Sequence, residues 1–352
     1  MPSARERSSP RSGWGTENVI LIVSTLIDRH AQVVAQELER RRVPVFVGDV
    51  VEFGAGATLS DRNGQIRWTR ADGARAELSA THSVWCRRYF PPAYDPALRD
   101  LGDREFIRRQ WTELLWGTVC VVGAPLVSDP YRQQAATKPL QLSMARRLGL
   151  RVPDTLVSND REAVLGFVDQ HHGRLIHKTL GPALDRMLFT KRWDPADAQA
   201  LGDLELAPMI FQEQIGGTRE LRVTIVGERF FAAEFDVGAL ADGRLDFDVE
   251  FRPHALPVQL EDKLLRLLDG LGLRYATVDL RIDEGGEYVF LELNPQGQFL
   301  YAQIKTGMPI SAAMADLLCS PGAPTAVSKP QLPAPTLRCA SEASLRAHPA
   351  LA

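Results

Sequence analysis

The stretch Phe290-Leu291-Glu292-Leu293-Asn294-Pro295-Gln296-Gly297-Gln298 decides the reading of this chain. It opens as an alternating strand, and residues two apart on a strand share a face. Glu292 and Asn294 therefore point one way, and Leu291 and Leu293 the other. A carboxylate in an otherwise apolar strand is costly unless it meets a cation. Upstream, Ala276 to Ile282 reads as a second strand and carries Asp279. Asp283-Glu284-Gly285-Gly286 between them is a hairpin signal. A two-residue loop (Gly285-Gly286) and a four-residue loop (Asp283 to Gly286) both put Asp279 on the face of Glu292. Asp279, Glu292 and Asn294 then form an all-oxygen set suited to a magnesium ion that also holds phosphate oxygens. The competing reading is a pair of solvated acids on an exposed hairpin. The flanking apolar residues favour burial, and with it the metal.

The rest of the chain bounds what such a site can belong to. Its 352 residues suffice for two or three packed subdomains. A net charge of -3 points to neither a nucleic-acid nor a membrane partner. The cysteines Cys86, Cys120, Cys319 and Cys339 contain no close pair, which argues against a zinc site or a disulfide scaffold. Reduced thiols in the cytoplasm are the expectation. His171-His172 lacks metal-ligand spacing and reads as part of a solvated loop. No apolar run reaches the roughly 20 residues of a membrane span. Asn18 to Ile27 resembles a signal core, but a charged helix follows it instead of a small-residue cleavage site.

Taken in order, residues 1–17 are Ser/Arg/Pro-rich and read as a disordered tail. Val19 to Val23 is a buried strand. Asp28 opens a helix with Ala31, Val34, Ala35 and Leu38 on one face, and Val43 to Val47 is the next strand. This unit predicts a parallel sheet. The turn Ser24-Thr25-Leu26-Ile27 lacks the glycines of a dinucleotide site. Asn63-Gly64 marks a hairpin, and Val84 to Cys86 is a strand followed by Arg87-Arg88. Those arginines fit either an anion site or a surface or ion-paired role. Asp103 to Trp116 reads as a helix and Val119 to Val122 as a strand. Lys138-Pro139 then opens a helix that Gly149 ends. Asn159 with Glu162 resembles a capping box.

Arg174 to Leu180 and Met187 to Lys191 read as strands around the loop Gly181 to Arg186. Lys178 inside the first either snorkels to solvent or meets a phosphate. Met209 to Ile215 is a strand. Glu220 to Val226 and Arg229 to Phe235 form a hairpin in which Glu220, Arg222 and Thr224 share a face. Val258 to Leu273 is a helix with Leu260, Leu264, Leu267, Leu268 and Leu271 inward, and Pro309 to Leu318 is a closing helix. The Pro/Ala/Ser-rich residues 321–352 read as a flexible tail.

Lys138, Lys178, Phe211-Gln212-Glu213, Glu220-Leu221-Arg222-Val223, Asp279 and Glu292-Leu293-Asn294-Pro295 stand in the order of the ATP-grasp fold. A narrower resemblance is to the ATP-grasp maturases of ribosomal peptides, the graspetide or microviridin-type ligases. It is carried by Lys138 to Leu142, Leu148 to Leu156, Phe211 to Ile215, and Phe290 to Gln298 running on to Lys305-Thr306-Gly307. With the amino-terminal sheet it covers residues 19–318. The implied class is α/β (α+β): an amino-terminal Rossmann-like pre-ATP-grasp sheet, then the two-part ATP-grasp module. The implied domains are residues 18–130, a central lid at 131–207 and a carboxy-terminal part at 208–320.

The resemblance also implies roles. Lys138 and Lys178 contact the α- and β-phosphates and the adenine edge. Gln212 and Glu213, with backbone groups near Gln214 and Ile215, lie at the adenine and ribose. Arg222 faces the γ-phosphate and the acyl phosphate, and Asp279, Glu292 and Asn294 hold Mg²⁺. Glu220 is expected to pair with Arg222. Two features depart from the pattern: the loop after Lys178 keeps only Gly181, and His177 precedes the lysine.

The implied reaction is ATP-dependent activation of Asp or Glu side chains of a precursor peptide, leader plus core. Ester or amide crosslinks to Ser, Thr or Lys follow. The leader is expected to dock on the lid at residues 155–207 or near Arg87-Arg88, and the enzyme to be a homodimer. A ligase for free amino acids or small acids, or a non-catalytic nucleotide-binding module, are the alternatives. Retention of both lysines, Arg222 and the three metal ligands argues against the last.

Overall fold

The computed structural model describes residues 18–89, 92–95, 97–181, 190–238 and 249–322. The amino-terminal tail, the residues after 322, the loop after Gly181 and Met187 to Phe189 lie outside them.

The first part runs β1 (Val19–Ser24), α1 (Arg29–Arg40), β2 (Val45–Asp49), β3 (Thr58–Arg62), β4 (Gln65–Thr69), β5 (Arg75–Glu77), β6 (Thr81–Cys86), α2 (Leu101–Val121) and β7 (Leu126–Val127). Four of these strands form a parallel sheet in the order β2-β1-β6-β7, as the βαβ pattern predicts. The chain leaves β1 first to one side and then to the other. The carboxyl ends of β1 and β6 therefore flank a topological switch point, where open parallel sheets form crevices. Asp28 caps α1 through His30 N–H, and Ala31, Val34, Ala35 and Leu38 are buried. Asn63 and Gly64 both take positive φ in the turn between β3 and β4, the backbone a tight hairpin needs.

The expected strand at Val119 to Val122 is instead the end of α2, and the neighbouring strand is β7. Leu115, Thr118 and Val119 are buried at helical spacing, so packing overrides the β preference of the branched run.

The chain continues through α3 (Pro130–Ala135), α4 (Lys138–Arg147), β8 (Thr155–Ser158), α5 (Arg161–Gln170), β9 (Leu175–Thr179), β10 (Lys191–Arg192), α6 (Asp197–Ala200) and β11 (Met209–Glu213). The sheet here is antiparallel, in the order β10-β9-β11-β8. Pro139 sits in the first turn of α4, and Gly149 follows its end at φ 73°, as the sequence predicts. The cap of α5 is not Asn159 but Asp160, whose Oδ1 accepts from Glu162 and Ala163 N–H. Asp160→Ala is therefore expected to cost about 1 kcal/mol, and Asn159→Ala much less. Urea unfolding of the two variants checks this. His171 is half-buried against Asp154 and Phe167, while His172 is exposed.

The last part contains β12 (Arg219–Val226), β13 (Arg229–Asp236), β14 (Arg252–His254), α7 (Val258–Gly270), β15 (Tyr275–Ile282), β16 (Tyr288–Asn294), α8 (Leu300–Thr306) and α9 (Ile310–Cys319). Its antiparallel sheet has the order β14-β13-β12-β15-β16. One face is apolar: Leu221, Val223, Ile225, Val278, Leu280 and Leu293 pack on the α7 leucines Leu260, Leu264, Leu267 and Leu268. The alternation that buries these residues turns Glu220, Arg222, Thr224, Thr277, Asp279 and Arg281 to the opposite face. Helix α9 joins this sheet to the parallel one, packing with α1 residues in a shared core. Among the described residues, no helix is long and apolar enough to cross a membrane.

Candidate active site

The polar face of the carboxy-terminal sheet gathers the expected residues. Arg222 on β12 pairs with Asp279 on β15, and Asp279 pairs with Glu292 on β16. Asn294 lies two residues further on, opposite Thr277. Neither expected loop length occurs, yet the shared face of Asp279 and Glu292 does. The turn is Glu284-Gly285-Gly286, closed by Asp283 N–H donating to Glu287 O at 3.0 Å. Gly286 takes φ 84°, the left-handed position of such a turn. An unbroken ladder from an odd turn would set Leu291 opposite Asp279 and send Glu292 to the leucine face. A bulge between the Leu280–Phe290 and Asp279–Glu292 pairs absorbs Leu291 and restores the facing. Leu291 is accordingly half-buried, while Leu293 enters the core.

Each carboxylate meets a cation. Arg222 Nη1 lies 2.7 and 3.0 Å from the Asp279 oxygens. Lys138 Nζ lies 3.5 Å from Glu292 Oε2 and donates to Thr179 O at 3.1 Å. Lys138 thus spans from the end of β9 to the carboxylate face. The Asp279 and Glu292 side chains are 27% and 28% exposed, which excludes two fully solvated acids on an exposed hairpin. Burial works against the Arg222 charge, but the Asp279 carboxylate more than offsets it and holds the guanidinium above its ordinary value. Arg222 Nη2 also donates to Gln298 O at 3.1 Å, and its Cζ lies over the Tyr301 ring, 5.9 Å from the centroid.

Glu220 pairs with Arg281 and not, as expected, with Arg222. The register explains it: Arg281 is directly opposite Glu220, as Asp279 is opposite Arg222, so each charge takes its cross-strand neighbour. Arg281 is the residue missed from sequence. It stands two positions from Asp279 on the same face, which was the available signal.

Lys178 lies on β9 opposite Ile210 and is half-buried. Glu213 ends β11, and its N–H donates to Asp154 O at 3.0 Å. Gln214 N–H donates to Arg174 O at 2.9 Å, and Ile215 O accepts from Arg281 at 3.4 Å. Of the backbone groups expected at the adenine, the Gln214 N–H is already committed. Gln212 is fully buried and donates to Thr155 Oγ1 at 2.9 Å, and its Oε1 has no hydrogen-bond partner among the described residues. His177 is half-buried on the other side of β9 between Phe211 and Trp193, with Asp197 at 3.3 Å. It is a packing residue of the small sheet.

Among the described residues, no group of three His, Cys, Asp or Glu side chains could hold a metal ion. The set here is two carboxylates and one amide. It fits magnesium, which keeps few protein ligands and fills its sphere with phosphate oxygens and water.

Neither a scan against protein-family models nor a search of curated proteins finds a match. Solved structures do match over most of the chain. The macrocyclase MdnC of Microcystis aeruginosa, solved with the precursor peptide MdnA, is 30% identical with a TM-score of 0.79. The match covers 85% of this chain and 99% of that one. A RiPP-associated ATP-grasp ligase of Chryseobacterium gregarium, solved with ADP and a leader and core peptide, is 25% identical with a TM-score of 0.77, over 87% and 98% of the two chains. The ATP-grasp ligase PsnB, solved with a minimal precursor, Mg and ADP, is 25% identical with a TM-score of 0.70, over 85% and 96%. The fold is ATP-grasp, behind an amino-terminal parallel sheet. The chain belongs to the ATP-grasp ligases of ribosomal-peptide maturation.

Proposed function

We propose that this chain is an ADP-forming ligase that crosslinks a ribosomal precursor peptide, leader plus core, into macrocycles. It activates Asp or Glu side chains with ATP and joins them to Ser, Thr or Lys side chains as esters or amides. The observation that carries this reading is the polar sheet face where Arg222–Asp279 and Lys138–Glu292 stand side by side. The chain's similarity to ligases solved with precursor peptides, ADP and Mg supports it.

Asp279, Glu292 and Asn294 would hold magnesium, which supplies charge neutralisation at the β- and γ-phosphate oxygens. Lys138 and Lys178 bind phosphate oxygens from the lid side. Gln212 and Glu213, with backbone groups near Ile215, hold the adenine and ribose. The peptide carboxylate attacks the γ-phosphorus, and ADP leaves. Arg222, with its planar fork, orients the carboxyl and phosphoryl oxygens during that transfer. A hydroxyl or amine then attacks the activated carboxyl carbon, and phosphate leaves with the bond made. Positioning and charge compensation are what the protein contributes.

Residues 131–207 and 208–320 act as the two parts that close on the nucleotide. The enzyme is a cytoplasmic homodimer in this reading, and Cys86, Cys120 and Cys319, unpaired among the described residues, are compatible with that compartment. Lys138→Met is expected to raise the KM for ATP about 10- to 100-fold, the worth of one charge-assisted contact. Steady-state ADP release checks it.

The decisive experiment incubates the enzyme, ATP and Mg²⁺ with a candidate precursor, any short Thr- and Asp/Glu-rich peptide found encoded beside its gene. Loss of one water per bond by mass spectrometry is the expected result. An unchanged peptide, with ADP released only when a free amino acid and a small acid are supplied, would replace the reading with a small-molecule ligase.

A further inference from the structure

The segment after β16 is held one peptide group at a time. Arg87 Nη1 donates to Gln296 O at 2.6 Å, Tyr275 Oη to Gly297 O at 2.6 Å, and Arg222 Nη2 to Gln298 O at 3.1 Å. The next amides, Phe299 and Leu300 N–H, both donate to His30 Nε2, at 3.1 and 3.3 Å. Successive peptide groups are thus anchored by side chains from the residue after β6, from β15 and β12, and from the first turn of α1. For His30 Nε2 to accept, the ring must be neutral and carry its proton on Nδ1. That nitrogen faces Asp28 Oδ1 at 3.2 Å. Asp28 Oδ2 accepts from Ser24 Oγ at 3.0 Å and lies 3.4 Å from Arg87 Nε. Asp28 therefore keys both amino-terminal anchors.

Arg87 does not behave as a surface charge. The residue is 1% exposed, and beyond the ion pair with Asp28 its Nε and Nη2 have no hydrogen-bond partner among the described residues. Burying guanidinium donors unsatisfied costs free energy. Among the described residues, the one hydrogen bond its side chain makes is to Gln296 O, in the segment that also orients Arg222. Burial lowers the affinity of His30 for a second proton, which keeps its ring in the accepting form.

We infer that Asp28, His30 and Arg87 are positioning residues of the ligase: they set the Gln296–Leu300 segment and, through Gln298 O, the direction of the Arg222 guanidinium. This rests on the function proposed above. The amino-terminal sheet then has a part in phosphoryl transfer without touching substrate. Its switch-point residues hold the strap on which the arginine leans, and an error near 1 Å in a reacting group costs about 100-fold in rate.

The test uses full-length His30→Ala, His30→Gln and Arg87→Met proteins, with two readouts. Amide hydrogen exchange needs no substrate. In His30→Ala, the Phe299 and Leu300 amides are expected to exchange at least about 10-fold faster while β15 amides keep their protection. With the precursor peptide, kcat for ADP release is expected to fall about 10- to 100-fold for His30→Ala and Arg87→Met, as for lost supporting contacts elsewhere. The KM for ATP should move less than about 3-fold, because the lost interaction acts in the transition state. His30→Gln, whose amide oxygen can accept the same N–H groups, should recover most of the rate. Combined with Arg222→Lys, either variant should add little to the Arg222→Lys loss.

Unchanged exchange, unchanged kcat, or losses that multiply with Arg222→Lys would each overturn the inference. Should wild-type protein release no ADP with the peptide, the ligase reading fails, and the exchange experiment still decides whether these residues hold the segment.

Discussion

Glu292→Ala is expected to cut crosslinking by about 100- to 1000-fold, the scale of losing one pre-organised charge stabiliser in a closed site. Glu292 faces Asp279 directly across β15 and β16, and Lys138 lies 3.5 Å from its Oε2. Removing it takes away a counter-charge of the lysine and, in the function proposed above, a ligand of the magnesium. It also relieves the repulsion of two carboxylates placed opposite each other. The fold should therefore lose less than about 1 kcal/mol. Asp279→Asn should behave differently. It leaves the guanidinium of Arg222, 11% exposed, without its carboxylate. A buried ion pair broken from one side costs about 3 kcal/mol, so this variant should lose both turnover and melting temperature. ADP release and calorimetry on the two proteins distinguish the cases. Wild-type turnover by Glu292→Ala would remove the metal assignment.

The other large effect is expected at Gly297. A Cβ there would lie 1.7 Å from Thr277 Oγ1 and 2.5 Å from Thr277 Cβ and Cγ2. Thr277 is fully buried in the central strand β15, and its branched side chain has little room to turn. The segment must lift instead. Lifting breaks the Tyr275–Gly297 hydrogen bond and draws Gln298 O away from Arg222. Gly297→Ala should cost about 1–3 kcal/mol in stability, as overpacking does. It should also slow ADP release by about 100-fold. Adding Thr277→Ala should recover part of both losses, because Thr277 Oγ1 makes no hydrogen bond whose loss would offset the gain in space. Full activity in the single variant would mean that the segment does not bear on Thr277.

What the sequence made legible was local and periodic. The inward leucines of α7, the Asp28 start of α1, the Gly149 stop of α4 and the shared face of Asp279 and Glu292 all follow from spacing along one or two adjacent elements. What it hid depended on pairing or competition. A run of branched residues at Val119 to Val122 reads as a strand until burial of Leu115, Thr118 and Val119 on one helical stripe is known. Asn159 and Asp160 are both capping residues, and only backbone geometry chooses between them. Glu220 had two arginines within reach, and strand register selected Arg281. The strap of residues 296–300 was hidden altogether: Arg87 reaches it across 209 positions and His30 across 269. A pattern of such range leaves no periodic trace. Asp28 was visible as a helix cap, while its hold on Arg87 was not.

The two ion pairs on the sheet face give the enzyme an exchange step rather than a filled or empty pocket. The acids and the cations that phosphate would need neutralise one another in the protein alone. In the function proposed above, Asp279 and Glu292 would exchange Arg222 and Lys138 for the magnesium, and the two cations would then be available to an anion. In that reading the triphosphate is that anion. Metal without nucleotide strands two cations, and nucleotide without metal strands two carboxylates. Either alone should bind weakly, and together they should bind as a single unit.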